Sequence, residues 1–196
     1  MFPLFESIRC FNGRIYNIKA HNERVYRSRK AVLGIDERVD LRSLIQVPGS
    51  CKKGLFKCRI AYGMNFDNPV FTKYTPRKIR SLKIVDVHFD YNHKSEDRSN
   101  INEAFAQRGD CDDVLMVRDG LITDTSYANV AFFNGENWYT PSSPMLEGTR
   151  RTQLLKQNRI IESPILRSDL YKFKRVALFN AMISFGQCLI PIQEIN

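Results

Sequence analysis

The chain has 196 residues, 43% of them hydrophobic and 26% charged, which fits a globular fold of one large domain or two small lobes. No apolar run approaches the roughly 20 residues that span a bilayer. The opening stretch "MFPLFESIRC" has neither the basic start nor the apolar core of a secretory signal, so a cytoplasmic protein with no membrane partner is expected. Thirty Lys and Arg against 21 Asp and Glu give a formal charge of +9, a field that draws anions: nucleic acid, or phosphorylated and carboxylated small molecules.

In chain order, "LFESIRCF" reads as a strand that meets an Asn12-Gly13 turn and returns through "RIYNI", a hairpin. "HNERVYRSRKAVLG" reads as a helix, with Val25/Val32 and Tyr26/Leu33 recurring at i,i+7 and Gly34 as its stop. "GLFKCRIAYG" alternates, setting Phe56, Cys58, Ile60 and Tyr62 on one face and Lys57 and Arg59 on the other. "PVFTKYTP" and "SLKIVDVHF" supply two more strands, so residues 1–88 are expected to form a smaller lobe of mostly antiparallel sheet with one helix. Residues 89–196 form the larger lobe: a short helix at "NINEAFAQRG", a strand at "DDVLMVRDG", and a hairpin "YANVAFFNGENWYTP" around Asn134-Gly135. A helix "EGTRRTQLLKQN" opened by Gly148 and an apolar strand "RVALFNAMISF" complete it. The expected class is α+β in two lobes.

Several chemistries find no support. There is no GxGxxG, GxxxxGK[ST], HExxH or GxSxG. The five cysteines are scattered without a CxxC pair, and the three histidines are not at zinc-ligand spacing from them, so reduced, mostly buried thiols and no metal are expected. The acidic run at Asp110, Asp112 and Asp113 fixes no ligand geometry and reads as a solvated turn. The basic segment from Thr72 to Lys83, with Tyr74 interleaved, could track a phosphate backbone. A solvated strand face explains it more simply, and no nucleic-acid-binding signature accompanies it.

Three other features complement one another. Lys94 follows a strand in "FDYNHKSEDRSN"; Asp124 stands five residues before Asn129 in "ITDTSYANVAFF"; and "PMLEGTRRTQLL" opens a helix on glycine, whose N–H groups suit a phosphate. An amine, a carboxylate and an anion-binding helix start are what a pyridoxal 5'-phosphate (PLP) enzyme requires. Taken singly, each also reads as a surface lysine, a turn aspartate or an ordinary cap.

The order "FESIRCFNG…AHNERV", "HKSEDR", "DTSYANVAFFNGENWYTP…LEGTRR" resembles the class IV aminotransferases of PLP fold type IV. That family includes branched-chain and D-amino-acid aminotransferases and 4-amino-4-deoxychorismate lyase. The resemblance runs over nearly the whole chain and implies the two-lobed D-amino-acid-aminotransferase-like fold, PLP as cofactor and a homodimer. By it, Lys94 is the Schiff-base lysine; Arg24, in the HxxR pattern from His21, meets the cofactor phosphate; and Asp124, with Asn129 beside it, stands where the family has a glutamate for the pyridine nitrogen. Gly148, Thr149 and Arg150 form the phosphate turn, and Ala181 and Met182 a second cofactor-side turn. Arg9, Arg98 and Ser126 are expected on the substrate side, meeting a small amino-carboxylate.

The chain departs from the family pattern in two ways. Asp124 is one methylene shorter than glutamate, and the glycine-rich "GDGVF"-like approach before "FES" is missing, so a fold shortened at the N-terminus is expected. The Lys94-to-Arg98 spacing is closer to lyase-type members and the "FESIRC" start to branched-chain enzymes. The expected activity is therefore lyase-like, releasing pyruvate to leave 4-aminobenzoate, a step of folate biosynthesis, with aminotransfer as the alternative. A PLP-binding member without turnover is a third reading, and a basic nucleic-acid-binding module is the non-enzymatic competitor.

Overall fold

The computed structural model describes residues 3–196. The chain divides into two compact units, Met1–Pro76 with His93–Asp97, and Arg77–Asn92 with Arg98–Asn196.

The first unit is a four-stranded sheet in the order β2-β1-β3-β4 with one long helix. Strand β1 (Leu4–Phe11) turns at Asn12 and Gly13, both at positive φ (49° and 76°), into β2 (Arg14–Ile15). Two consecutive left-handed residues twist with the strands, which is why Asn-Gly marks such a hairpin. β1 pairs antiparallel with β3 (Leu55–Tyr62) over its whole length, Leu4 opposite Tyr62 and Phe11 opposite Leu55, and β4 (Val70–Lys73) lies beyond β3. Helix α1 (Ile18–Leu33) ends on Gly34, which adopts a left-handed φ of 69°. Leu4, Ile8, Ile18, Val25, Leu41, Cys58, Ile60 and Tyr62 form the core.

The buried stripe of α1 is polar as well as apolar. His21, Arg24, Ser28 and Arg29 are buried with Ile18 and Val25, while Val32, expected on the apolar face, is 44% exposed. The i,i+3,i+4 rule places these side chains correctly on one face; it does not by itself say that this face would be chosen to bury charge.

The second unit holds two sheets. Strands β5 (Leu82–Asp86), β6 (Asp113–Arg118) and β7 (Leu121–Thr125) form one, with helix α2 (Ser99–Ala106) between β5 and β6 in the chain. Strands β8 (Asn129–Phe133), β9 (Trp138–Pro141), β10 (Ile161–Ser163), β11 (Arg175–Phe179) and β12 (Cys188–Pro191) form the other, in the order β10-β9-β8-β11-β12. Helix α3 (Thr149–Lys156) lies between β9 and β10 in the chain. The central strands β8 and β11 are buried on both faces. Val130, Phe132, Val176 and Leu178 join one core cluster, and Ala131, Ala177 and Phe179 join another with Leu154 and Ile160.

This division differs from a single cut at residue 88. β5 pairs in parallel with β6, Leu82 opposite Asp113, so "SLKIVDVHF" belongs to the second unit's sheet. Residues 93–97 instead pack with the first unit: the Phe5 N–H donates to the Lys94 carbonyl (3.0 Å) and Leu4 bridges Ser95. All five cysteines are free, three of them buried. Among the described residues, no helix is long and apolar enough to cross a membrane.

Candidate active site

In the first unit the segment carrying Lys94 is held on several sides. Besides the Phe5 N–H contact, Ser95 Oγ and the Glu96 N–H both donate to the Pro3 carbonyl (3.3 and 2.9 Å), and Glu96 pairs with Arg59. His93 Nδ1 lies 3.3 Å from Ser28 Oγ on α1. The Lys94 ammonium stands 4.5 Å from the centroid of the Phe5 ring, a cation–π placement. Arg9 shares with Phe5 the face of β1 that points away from Leu4, Glu6 and Ile8, and its guanidinium lies over Phe11.

On the opposite face of β1, Glu6 is fully buried and gathers the two residues of the HxxR pattern. Arg24 donates from Nε (2.8 Å) and Nη2 (2.5 Å) to its two oxygens, and His21 Nδ1 lies 2.6 Å from Oε2. Burial acts to raise the Glu6 pKa, but the charges of Arg24 and His21 and their hydrogen bonds outweigh it, so the carboxyl falls to about 2. His21 is pushed down by burial, and by the positive charges of Arg24 and Lys94, against the pull of Glu6.

In the second unit, Asp124 sits where β7 carries one residue more than β6: Thr125 is opposite Leu115 and Ile122 opposite Val117. Such a bulge re-aims a side chain. The Asp124 carboxylate accepts from Asn129 Nδ2 (2.8 Å) and the Leu146 N–H (3.0 Å), while Asn129 Nδ2 also donates to the Leu146 carbonyl (2.9 Å). The two side chains thus grip both polar groups of Leu146, two residues before Gly148. Burial pushes Asp124 up to about 6, opposed by those hydrogen bonds and by Arg151.

Gly148 is the N-cap of α3, with no side-chain cap, no acidic residue in the first turn, and Arg150 and Arg151 within it. A Cβ at Gly148 would collide with Asn129 Oδ1, so the turn is built to exclude a side chain there. Thr149 is buried; Arg150 reaches Gln153 (2.9 Å). Arg151 ties α3 to the Pro141 carbonyl (2.7 Å) and Glu162 (2.8 Å), a structural role.

The turn from Thr125 to Ala128 (N–H to carbonyl, 2.9 Å) carries Ser126 and Tyr127 at its tip. Arg98 Nη2 donates to the Ser126 carbonyl (2.7 Å), and Arg77 lies over the Tyr127 ring. Ser126 also hydrogen-bonds the buried Asp113, whose carboxyl burial pushes up. Asn180 donates to the Tyr127 carbonyl (3.1 Å) and accepts from the Met182 and Ile183 N–H groups (2.8 and 2.9 Å), shaping the turn that holds Ala181 and Met182.

Of the residues expected from sequence, Arg9, Arg24 and Lys94 belong to the first unit, and Arg98, Asp124, Ser126, Asn129, Gly148, Thr149, Arg150, Ala181 and Met182 to the second. Glu6 and Asn180 were not among them. Glu6 had a legible signal: in "LFESIRCF" it alternates onto the face of Leu4, Ile8 and Cys10, a carboxylate on a core face. Asn180 had a partial signal, lying in "FNAM" directly before the expected Ala181–Met182 turn, with no role of its own assigned.

A fold of this kind, with a glycine-led helix start and a buried carboxylate beside it, has the features of a PLP fold type IV enzyme. The family model for amino-transferase class IV matches residues 65–195. An uncharacterized protein of Haemophilus influenzae is 37% identical over 185 residues, covering 93% of this chain and 98% of that one. The chain belongs to the class IV aminotransferase family, whose members are PLP-dependent enzymes. Among solved structures, a candidate 4-amino-4-deoxychorismate lyase from Haemophilus somnus is similar at 33% identity and TM-score 0.88, covering 94% of this chain and 98% of that chain. A candidate amino-acid aminotransferase from Mesorhizobium loti shares the fold at 23% identity and TM-score 0.80, covering 100% and 99%.

Proposed function

We propose that the protein is a PLP-dependent lyase of the 4-amino-4-deoxychorismate type, releasing pyruvate and leaving 4-aminobenzoate. The residues present fit the cofactor. The Gly148 turn has the closeness and positive character a phosphate needs, Arg24 adds a guanidinium, and Asp124 is a buried carboxylate suited to a protonated ring nitrogen. Bound to them, PLP supplies the electron sink for the pair left when a bond at the substrate's amino-bearing carbon breaks.

The chain's own groups do the rest. Lys94 would hold the cofactor through its amine, and the same amine, when free, would take the proton from the substrate's acidic C–H. Asp124 would keep the ring nitrogen protonated, and Asn129 holds Asp124. Arg9 and Arg98 are assigned to the substrate carboxylates.

The reading is carried by Arg98. Its spacing from Lys94 is closer to that of lyase-type members, and its hydrogen bond to the Ser126 carbonyl sets a guanidinium at the turn two residues past Asp124. The likeness to the Haemophilus somnus protein supports the same choice. The "FESIRC" start favours aminotransfer as the second reading. The test is a direct comparison: with aminodeoxychorismate, purified enzyme releases pyruvate and 4-aminobenzoate in equal amounts. Faster amino transfer to 2-oxo acids, with no pyruvate released, contradicts the lyase assignment.

A further inference from the structure

We propose that Glu6 is the positioning residue for Arg24, so that phosphate affinity depends on a carboxylate whose own charge opposes phosphate. This rests on the assignment of Arg24 to the cofactor phosphate and adds the group that aims it.

A carboxylate at full burial, on a strand face shared with Leu4, Ile8 and Cys10, is strongly unfavourable unless paired. Glu6 is paired with a fork: both its oxygens meet one planar edge of Arg24, Nε and Nη2. Two parallel contacts to a planar group fix its position and its plane together, which a single contact does not. His21, one helical turn earlier on α1, holds the carboxylate from a third direction through Nδ1. The edge that Glu6 grips is committed to the carboxylate, and its plane sets the direction in which the guanidinium can meet a phosphate. Glu6 stays ionised across the working pH range.

Two effects of Glu6 on a phosphate have opposite sign. Its charge repels the anion, and its grip removes the rotamer freedom that a long arginine would otherwise lose on binding. The bidentate geometry and the burial of Arg24 (6% exposed) favour the second.

The experiment uses the full chain freed of cofactor and two ligands lacking the aldehyde, pyridoxine 5'-phosphate and pyridoxine, so that no bond to Lys94 forms. Dissociation constants are measured for wild type, Arg24→Ala, Glu6→Gln and Glu6→Asp. Both Glu6 variants are expected to weaken pyridoxine 5'-phosphate by about tenfold and to change pyridoxine less than twofold. Glu6→Asp keeps the charge and shortens the reach, so it decides the matter if Glu6→Gln does not fold. If Arg24→Ala is phosphate-selective but both Glu6 variants bind the phosphate ligand as tightly or more tightly, the positioning role is overturned and the Arg24 assignment stands. Equal loss for both ligands in the Glu6 variants also overturns it, since that is a general structural effect. If Arg24→Ala shows no selectivity for the phosphate ligand, the Arg24 assignment fails, and with it the premise.

Discussion

At the scale of single residues, Asp124 and Glu6 are opposite solutions to burying a carboxylate. Glu6 has a full positive partner and sits far below its usual pKa; Asp124 has neutral donors for direct partners, and burial lifts it to about 6. Linkage follows with its sign. The folded state holds the Asp124 proton more tightly than the unfolded chain, whose value is 3.8, so this group's contribution to stability falls as pH rises from about 4 to 6. The difference amounts to about 3 kcal/mol above that window. Urea unfolding of cofactor-free wild type and Asp124→Ala from pH 4 to 7 should show the two stability curves converging or crossing as pH rises. Curves that run parallel would contradict the burial argument. Glu6 acts in a separate window: its stabilisation is full above about 4.5 and is lost as pH falls toward 2. The sequence made Asp124 legible through its motif, yet the grip of Asn129 on Leu146 was not, because hydrogen bonds between residues 17 apart leave no mark on spacing.

At the scale of elements, the start of α3 shows how a glycine turn is made from a packing constraint. Gly148 has φ −67° and ψ 139°, which any residue can adopt, so glycine is required by contact and not by backbone freedom. Asn129 Oδ1 occupies the space, with its Cγ 3.1 Å from where the Cβ would be, and Asn129 is itself fixed by Asp124 and Leu146. Gly148→Ala is therefore predicted to destabilise by about 1–3 kcal/mol. Adding Asn129→Ala should return part of that loss, a negative coupling that a double-mutant cycle by urea melts will measure. Additive losses would show that the clash is relieved elsewhere. Regular elements were largely legible: the Asn12-Gly13 hairpin, α1 with its Gly34 stop, α3 and the β8–β9 hairpin lie where periodicity and turn residues put them. β5 was placed with the wrong sheet because alternation defines a strand but not its partner, and its parallel partner β6 lies 27 residues further on. β10 and β12 are three and four residues long, too short for a period to register.

At the scale of the whole molecule, the cations behind the charge of +9 include buried as well as exposed groups. Much of it is spread over exposed surface, but Arg24 and Arg151 are buried, one held by Glu6 and one by Glu162. The proposed functional residues are divided between two compact units, and Lys94 belongs to the first because residues 93–97 return to β1. Composition could not have shown that return; the strand signal before it and the family motif pointed instead to a lysine of the larger lobe. The central claim is that Lys94 is the amine that carries PLP. The most direct measurement reconstitutes the protein with one equivalent of PLP, reduces it with borohydride, and locates the pyridoxyl group by peptide mass spectrometry. The account predicts near-stoichiometric label on Lys94, with yellow colour before reduction, and neither in Lys94→Ala. Label spread over other lysines, or an unlabelled Lys94 in folded protein, would contradict it.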